Sequence, residues 1–258
     1  MWWLAMAAAS HFSMIGFQLD MSSSDSMGAH LIKLAEDCPT IALTSGNQLC
    51  VIRDESGAEL WIGLQQKPDG SAEMKTVNPA MRGKGKTAMS VSADISPAEW
   101  KPFEYRIKGE LSGEVPFVVD LADPQEIAKF KPGAKLSLDI TAFADEIEVF
   151  DSEKSYYASQ ESKQLKFASN HFIPSGLFSP DGKAGHEPTA HALFAGEILE
   201  SELRKNRVGK GDYWWILVRT FDGALFNVVA DPTDVSISPK PRGIVSGSFW
   251  LSARLSAN

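Results

Sequence analysis

Apolar and polar residues alternate with a period of two along most of this chain, which predicts strands. His11 to Asp20 (HFSMIGFQLD) reads as a first strand. A serine-rich stretch follows that can cap a helix, and Met27, Leu31 and Leu34 then recur at helical spacing. Cys38-Pro39 ends that helix, because proline disfavours helical backbone in the residue before it. Residues 47–54 and 58–65 are the next strands, separated by the turn-forming Glu55-Ser56-Gly57. In the second of them Glu59, Trp61 and Gly63 share one face, and Leu60, Ile62 and Leu64 share the other. Residues 66–86, polar and glycine-containing, are expected to form a loop.

Strand patterns resume at 87–95, 102–111, 115–121 and 135–150. Asp123-Pro124 starts a short helical turn, with Asp as cap and Pro at the first position. Residues 152–166 are polar and read as helical. The stretch 171–190 holds three prolines and three glycines and is the expected linker. The last 68 residues contain four long strand patterns, with Asp222-Gly223 as the hairpin signal between the second and third. Long antiparallel strands in so short a unit predict a small β-barrel of the OB type. No internal repeat of 20–50 residues is visible, which argues against a solenoid.

The expected fold class is therefore α+β, mostly antiparallel β. Its expected divisions are a lead-in at 1–9, an α+β region at 10–150, a connector at 151–189 and the OB-like barrel at 190–258. The chain has 258 residues, of which 43% are hydrophobic and 22% charged, as in ordinary globular proteins. No apolar run reaches the roughly 18 residues that a membrane helix needs. The net charge is −8, and residues 190–258 carry 8 basic and 7 acidic side chains. That balance argues against a phosphate-backbone partner. Cys38 and Cys50 are the only cysteines, and the expectation is two reduced, buried thiols in a cytoplasmic protein. MWWLAMAAAS has no Lys or Arg and is shorter than the roughly 15–30 residues of a secretory signal. Residues 1–9 are read as an unstructured lead-in from an early start codon.

Two motifs fail on physical grounds. His186 to His191 (HEPTAH) has one residue too many for a zincin helix, and Pro188 would break that helix. Gly83-Lys84-Gly85-Lys86-Thr87 lacks the earlier glycine of a P-loop, since Ala80 stands there, and reads as a solvated basic loop. Arg204-Lys205-Asn206-Arg207 with Lys210 reads as a solvated basic hairpin tip able to engage a carboxylate or phosphate.

The order strand, helix, strand pair over residues 11–65, with His11 on the first strand and Glu59 after RDESGAELW, resembles a module of the vicinal oxygen chelate superfamily, the glyoxalase and bleomycin-resistance fold. That resemblance implies a divalent metal (Zn, Ni, Mn or Fe) held by His11 and Glu59, with Glu148 as a further carboxylate from a degenerate second module. Such a site would support lyase, isomerase or dioxygenase chemistry. The phrases SHFSMIGF, FIPSGLF and VSGSFWLS also resemble a bacterial family of uncharacterised proteins, which implies no activity.

The favoured expectation is a non-catalytic binding protein for a small molecule or a protein partner, with no certain cofactor, no nucleic acid and no membrane. A homodimer is allowed. Trp61, Trp214, Trp250 and Arg219 are the candidate ligand contacts. Trp250 alternates with serines on the outward face of its strand, so the N-terminal region or a second subunit is expected to cover it.

Overall fold

The computed structural model describes residues 11–20, 23–36, 38–43, 46–179 and 187–256. The expected lead-in at 1–9 and the middle of the expected linker, 180–186, lie outside them. The protein is β-rich with few helices. It has two sheets, one of four strands and one of nine.

The predicted strand over 11–20 does not form. Residues 11–13 are helical, and Gly16 turns the chain with a φ of 75°. Phe12, Met14, Ile15 and Phe17 are all buried, so no alternation survives. The segment is pinned to the 205–212 hairpin tip. Gly211 N–H donates to Gly16 O, and Asn206 Nδ2 donates to Ile15 O at 2.8 Å. That tip is consequently not a free basic patch. Arg204 donates to Ser56 O, and the amides of Arg207 and Val208 donate to Asp54.

Helix α1 (Ser24–Ala35) forms where the 3.6-residue spacing predicts it. The Ser23 side chain caps it, and Leu31 is buried in the core. Strands β1 (Thr40–Ala42), β2 (Asn47–Arg53), β3 (Ala58–Gln66) and β4 (Ala72–Met81) make the antiparallel four-stranded sheet, in that order. The expected 66–86 loop thus contains a ten-residue strand. Pro79 is tolerated there because β4 lies at the sheet edge. Cys38 and Cys50 form a disulfide, which corrects the expected reduced pair and ties the chain beyond α1 to β2.

The nine-stranded sheet contains β5 (Thr87–Asp94), β6 (Arg106–Leu111), β7 (Val115–Leu121), β8 (Lys135–Phe150), β9 (Phe172–Ile173), β10 (His191–Lys205), β11 (Asp212–Arg219), β12 (Leu225–Ala230) and β13 (Ile244–Leu255). Its pairings close two rings. One runs β8, β12, β11, β10, β13, and the other runs β13, β7, β6, β5, β8. The long strands β8 and β13 pair with each other and belong to both rings. Exchanging β8 with β13, β12 with β7, β11 with β6 and β10 with β5 turns one ring into the other. Even the single parallel pairing of each ring, β12–β8 or β7–β13, is matched. Both long strands follow a 3₁₀ turn opened by Asp-Pro: Asp123-Pro124 before β8 and Asp231-Pro232 before β13. A topological repeat therefore relates 87–150 to 191–255, longer than the windows that solenoids use.

The last four strands complete their ring only with β8 from the 10–150 region. The 151–189 stretch is laid against the same ring. Helix α2 (Glu153–Ala158) buries Tyr156 beside Ala195 and Ile244, and β9 adds to β10. Ring interiors are filled by residues such as Phe117, Ile140, Phe194, Phe226, Phe249 and Leu251. The four-stranded sheet lays Cys50, Ile52, Leu60 and Ile62 onto the outer faces of Phe143, Tyr213, Trp215 and Val229. The 95–105 loop covers its other face, with Phe103 against Leu49, Val51 and Trp61.

Candidate ligand-binding cleft

The outer edge of β13 changes partner along its length. It pairs with β10 as far as Trp250 and with β7 from Ser252. A cleft of about 360 Å³ opens at this branch, within the range of small-molecule sites. Its walls come from six places: His11 on the N-terminal segment, Asn78 and Pro79 on β4, Trp100, Glu104 and Tyr105 on the 95–105 loop, Arg106 and Asp120 on β6 and β7, Glu187 and Thr189 just before β10, and His191, Trp250 and Ser252 on β10 and β13.

Trp250 is the hinge of the arrangement. His11 stacks on it, with ring centroids 4.9 Å apart and planes 11° apart, so the N-terminal region covers it as its position among serines led us to expect. Its indole Nε1 donates to Asp120 Oδ2 at 2.8 Å. Arg106 grips Asp120 with two parallel bonds, Nε to Oδ1 at 2.7 Å and Nη2 to Oδ2 at 2.9 Å. Its third nitrogen, Nη1, donates to Pro188 O, and its guanidinium lies 4.6 Å from the Trp100 ring centroid.

Two imidazoles share one carboxylate here. His11 Nε2 lies 3.0 Å from Asp145 Oδ1, and His191 Nε2 lies 3.6 Å from Asp145 Oδ2. His191 Nδ1 faces the Thr189 hydroxyl at 3.1 Å. Burial holds the His191 pKa below 6.5, against the opposing pull of the Asp145 and Asp120 charges. Glu104 is perturbed in the opposite sense. Burial raises its carboxyl above 4.5, and the Asp120 charge adds to the effect, while the Asn78 amide and Arg106 oppose it. Asn78 Nδ2 donates to Glu104 Oε1 at 3.0 Å.

Of the metal and ligand candidates proposed from sequence, His11 and Trp250 reach this cleft. Glu59 is buried elsewhere, 1% exposed, and its oxygens are taken by Arg53, Arg82, Arg254 and the Trp61 indole. A cation placed there would meet three guanidiniums. Glu148 is exposed on β8, opposite Ser246. His11, Glu59 and Glu148 therefore do not form one donor set. Among the described residues no group of three or more His, Cys, Asp or Glu is arranged to hold a metal ion. The residues present do not fit the implied divalent metal. Trp61 is buried under the 95–105 loop, and Trp214 packs half-buried against the ring core. Arg219 lines a wide, polar hollow of about 790 Å³ and is paired there with Glu197.

Sequence reasoning missed Asp145, His191, Glu104, Arg106, Asp120 and Trp100. Asp145 was hidden by a β-bulge. Ser248 pairs with Glu146 and Phe249 with Ala144, so Asp145 has no partner and escapes the alternation. His191 was in view within HEPTAH, but as the end of a rejected helix rather than the first residue of a strand.

No family model, no curated protein and no solved structure matches this chain.

Proposed function

We propose that the protein is a non-catalytic binder whose ligand, a small organic molecule, sits in the β13 branch cleft. One observation carries this reading. A partly open cleft of about 360 Å³ is walled by Trp100, Tyr105, Trp250 and Pro79 and edged by a few polar groups, one of them a half-buried carboxyl with a raised pKa. Apolar walls with a few convergent polar groups and a perturbed titration are the marks of a binding site. The OB-like reading of the C-terminal unit draws support from the five-strand ring, with β8 as its fifth strand. The glyoxalase-like reading of 10–150 rests on α1 and β2 to β4 alone.

A cytoplasmic setting would expose the Cys38–Cys50 bridge to reductants, so an oxidising compartment fits the disulfide better. Among the described residues no helix is long and apolar enough to cross a membrane.

The test is mass spectrometry of small molecules released from the purified protein by denaturation. A stoichiometric ligand is expected, and a Trp250→Ala variant should lose it. A ligand retained by that variant would place binding elsewhere and refute the proposal.

A further inference from the structure

We infer that the cleft selects a small organic cation, a primary or quaternary ammonium on an apolar body, seated against Glu104 between Trp100, Tyr105 and Trp250. This inference rests on the binding reading above and adds the ligand's charge.

The cleft's charges are unbalanced. Its lining includes three carboxylates, Glu104, Asp120 and Glu187, and one guanidinium, Arg106. Each Arg106 nitrogen is already engaged, Nε and Nη2 by Asp120 and Nη1 by Pro188 O, and Asp120 balances its charge. Both lining imidazoles face the shared Asp145 carboxylate. Asp120 is satisfied by Arg106 and by the Trp250 indole. Glu104 differs: its partner is the neutral Asn78 amide, and among the described residues it forms no ion pair. A carboxylate partly withdrawn from water without a paired cation is harder to ionise, and a ligand ammonium would supply the missing charge.

The walls select in the same direction. Three aromatic side chains edge the space, and an aromatic face attracts a cation within about 6 Å of its centroid. Arg106 over Trp100, Lys101 over Tyr105 and His11 on Trp250 each occupy one ring face, so a ligand cation would take the faces and edges that they leave. An anionic ligand would meet the Glu104 charge and find the one lining guanidinium already paired with Asp120, and a neutral one would leave Glu104 as it is. The cavity volume, about 360 Å³, limits the ligand to a small molecule.

Isothermal titration of the full chain with three probes of similar size tests this: benzylammonium, benzyl alcohol and benzoate. The ammonium should bind at least about 10-fold more tightly than the others, a difference that one satisfied charge contact supplies. Glu104→Gln should lose about 10-fold for the ammonium and leave benzyl alcohol unchanged. Trp100→Ala should weaken the ammonium too, which keeps the test open if the first variant folds poorly. Binding near pH 5 should release protons from Glu104, seen as heats that vary with the ionisation enthalpy of the buffer.

Benzyl alcohol or benzoate binding as tightly as the ammonium, with loss in Trp250→Ala, would overturn the cation inference and leave the binding reading standing. Ammonium affinity unchanged in Glu104→Gln would also overturn it. Absence of heat with all three probes up to about 10 mM, a limit corresponding to less than about 3 kcal/mol, would overturn it as well. If the purified protein also releases no ligand, the binding reading falls with it.

Discussion

Replacing Glu59 with alanine should destabilise the protein severely without touching any metal. The carboxylate is 1% exposed, and its contacts differ in worth. Arg53 and Arg82 are 44% and 55% exposed, so their ion pairs contribute about 0–1 kcal/mol each after screening. Arg254 is only 12% exposed, and Trp61 Nε1 donates at 2.9 Å from a buried ring. Removing the acceptor leaves a largely buried guanidinium and a buried indole N–H without a partner. Breaking one side of such a buried pair costs about 3–5 kcal/mol. At about 2–4 °C per kcal/mol for a chain of this size, the midpoint should fall by about 10 °C. Glu59→Gln keeps an acceptor for the indole and should cost roughly half as much, whereas Arg53→Ala should cost under about 1 kcal/mol. Thermal denaturation followed by circular dichroism reads all three, with and without EDTA. If Glu59→Ala melts with the wild type, or EDTA lowers the wild-type midpoint, Glu59 is not the arginine hub described here, and the metal reading regains its ground.

The Cys38–Cys50 bridge closes a loop of sequence separation 12, so reduction or Cys50→Ser should cost about 3 kcal/mol in the chain-entropy account. The native protein should show no titratable thiol, and one reactive thiol per cysteine would refute the bridge. Glu104 is held above its ordinary 4.5, so the folded state binds the extra proton and its contribution to stability falls as pH rises through the folded pKa. Glu104→Gln should therefore match the wild type near pH 4 and exceed it at pH 8 in denaturant titrations; equal stability at both would count against the raised pKa. His191 and His171 carry the opposite sign. Their pKa values are lowered from 6.5 by burial, so the folded state resists protonation and stability declines as pH falls below 6.5. Proton NMR should find both imidazoles neutral at pH 7, and a charged His191 would contradict the burial argument.

Where the alternation was regular, the sequence was legible. The two faces of β3 are as the parity of Leu60 and Trp61 demanded, and Val245, Phe249 and Leu251 point inward as predicted. Three physical effects hid the rest. A segment buried on all sides has no periodicity to read, so 11–17 looked like a strand when a glycine with positive φ folds it into a turn. An edge strand needs few apolar residues and tolerates proline, so β4 looked like a loop. A bulge resets parity, so Asp145 fell outside any face count. Long-range closure left no local mark either. Nothing near 135–150 announces that β8 pairs with strands both before and after it.

The ring repeat gives the cleft a comparison within the same molecule. The repeat creates two branch points, because β8 must also change partner, from β5 at Leu138 to β12 at Ile140. At that second branch backbone bridges the strands, and a wide polar hollow of about 700 Å³ opens beside it, lined by residues 82–86 and Asp139. Gly83 N–H donates to Asp139 and Lys84 N–H to Asn227, while Asn227 Nδ2 bonds Asp139 at 2.6 Å. The fit is close enough that a Cβ on Gly83 would collide with the Asn227 amide. The glycine-lysine segment that resembles a P-loop thus serves as packing, and glycine is required there for proximity rather than for phosphate. At the β13 branch the corresponding gap is spanned by side chains, the Trp250–Asp120–Arg106 chain of bonds, and they leave about 360 Å³ open. One topology therefore produces two gaps, and at the first the residues at 83–85 bridge the strands and line a polar hollow without aromatic walls. The second keeps aromatic walls and a half-buried carboxyl that forms no ion pair among the described residues, an arrangement that a bound cation would complete.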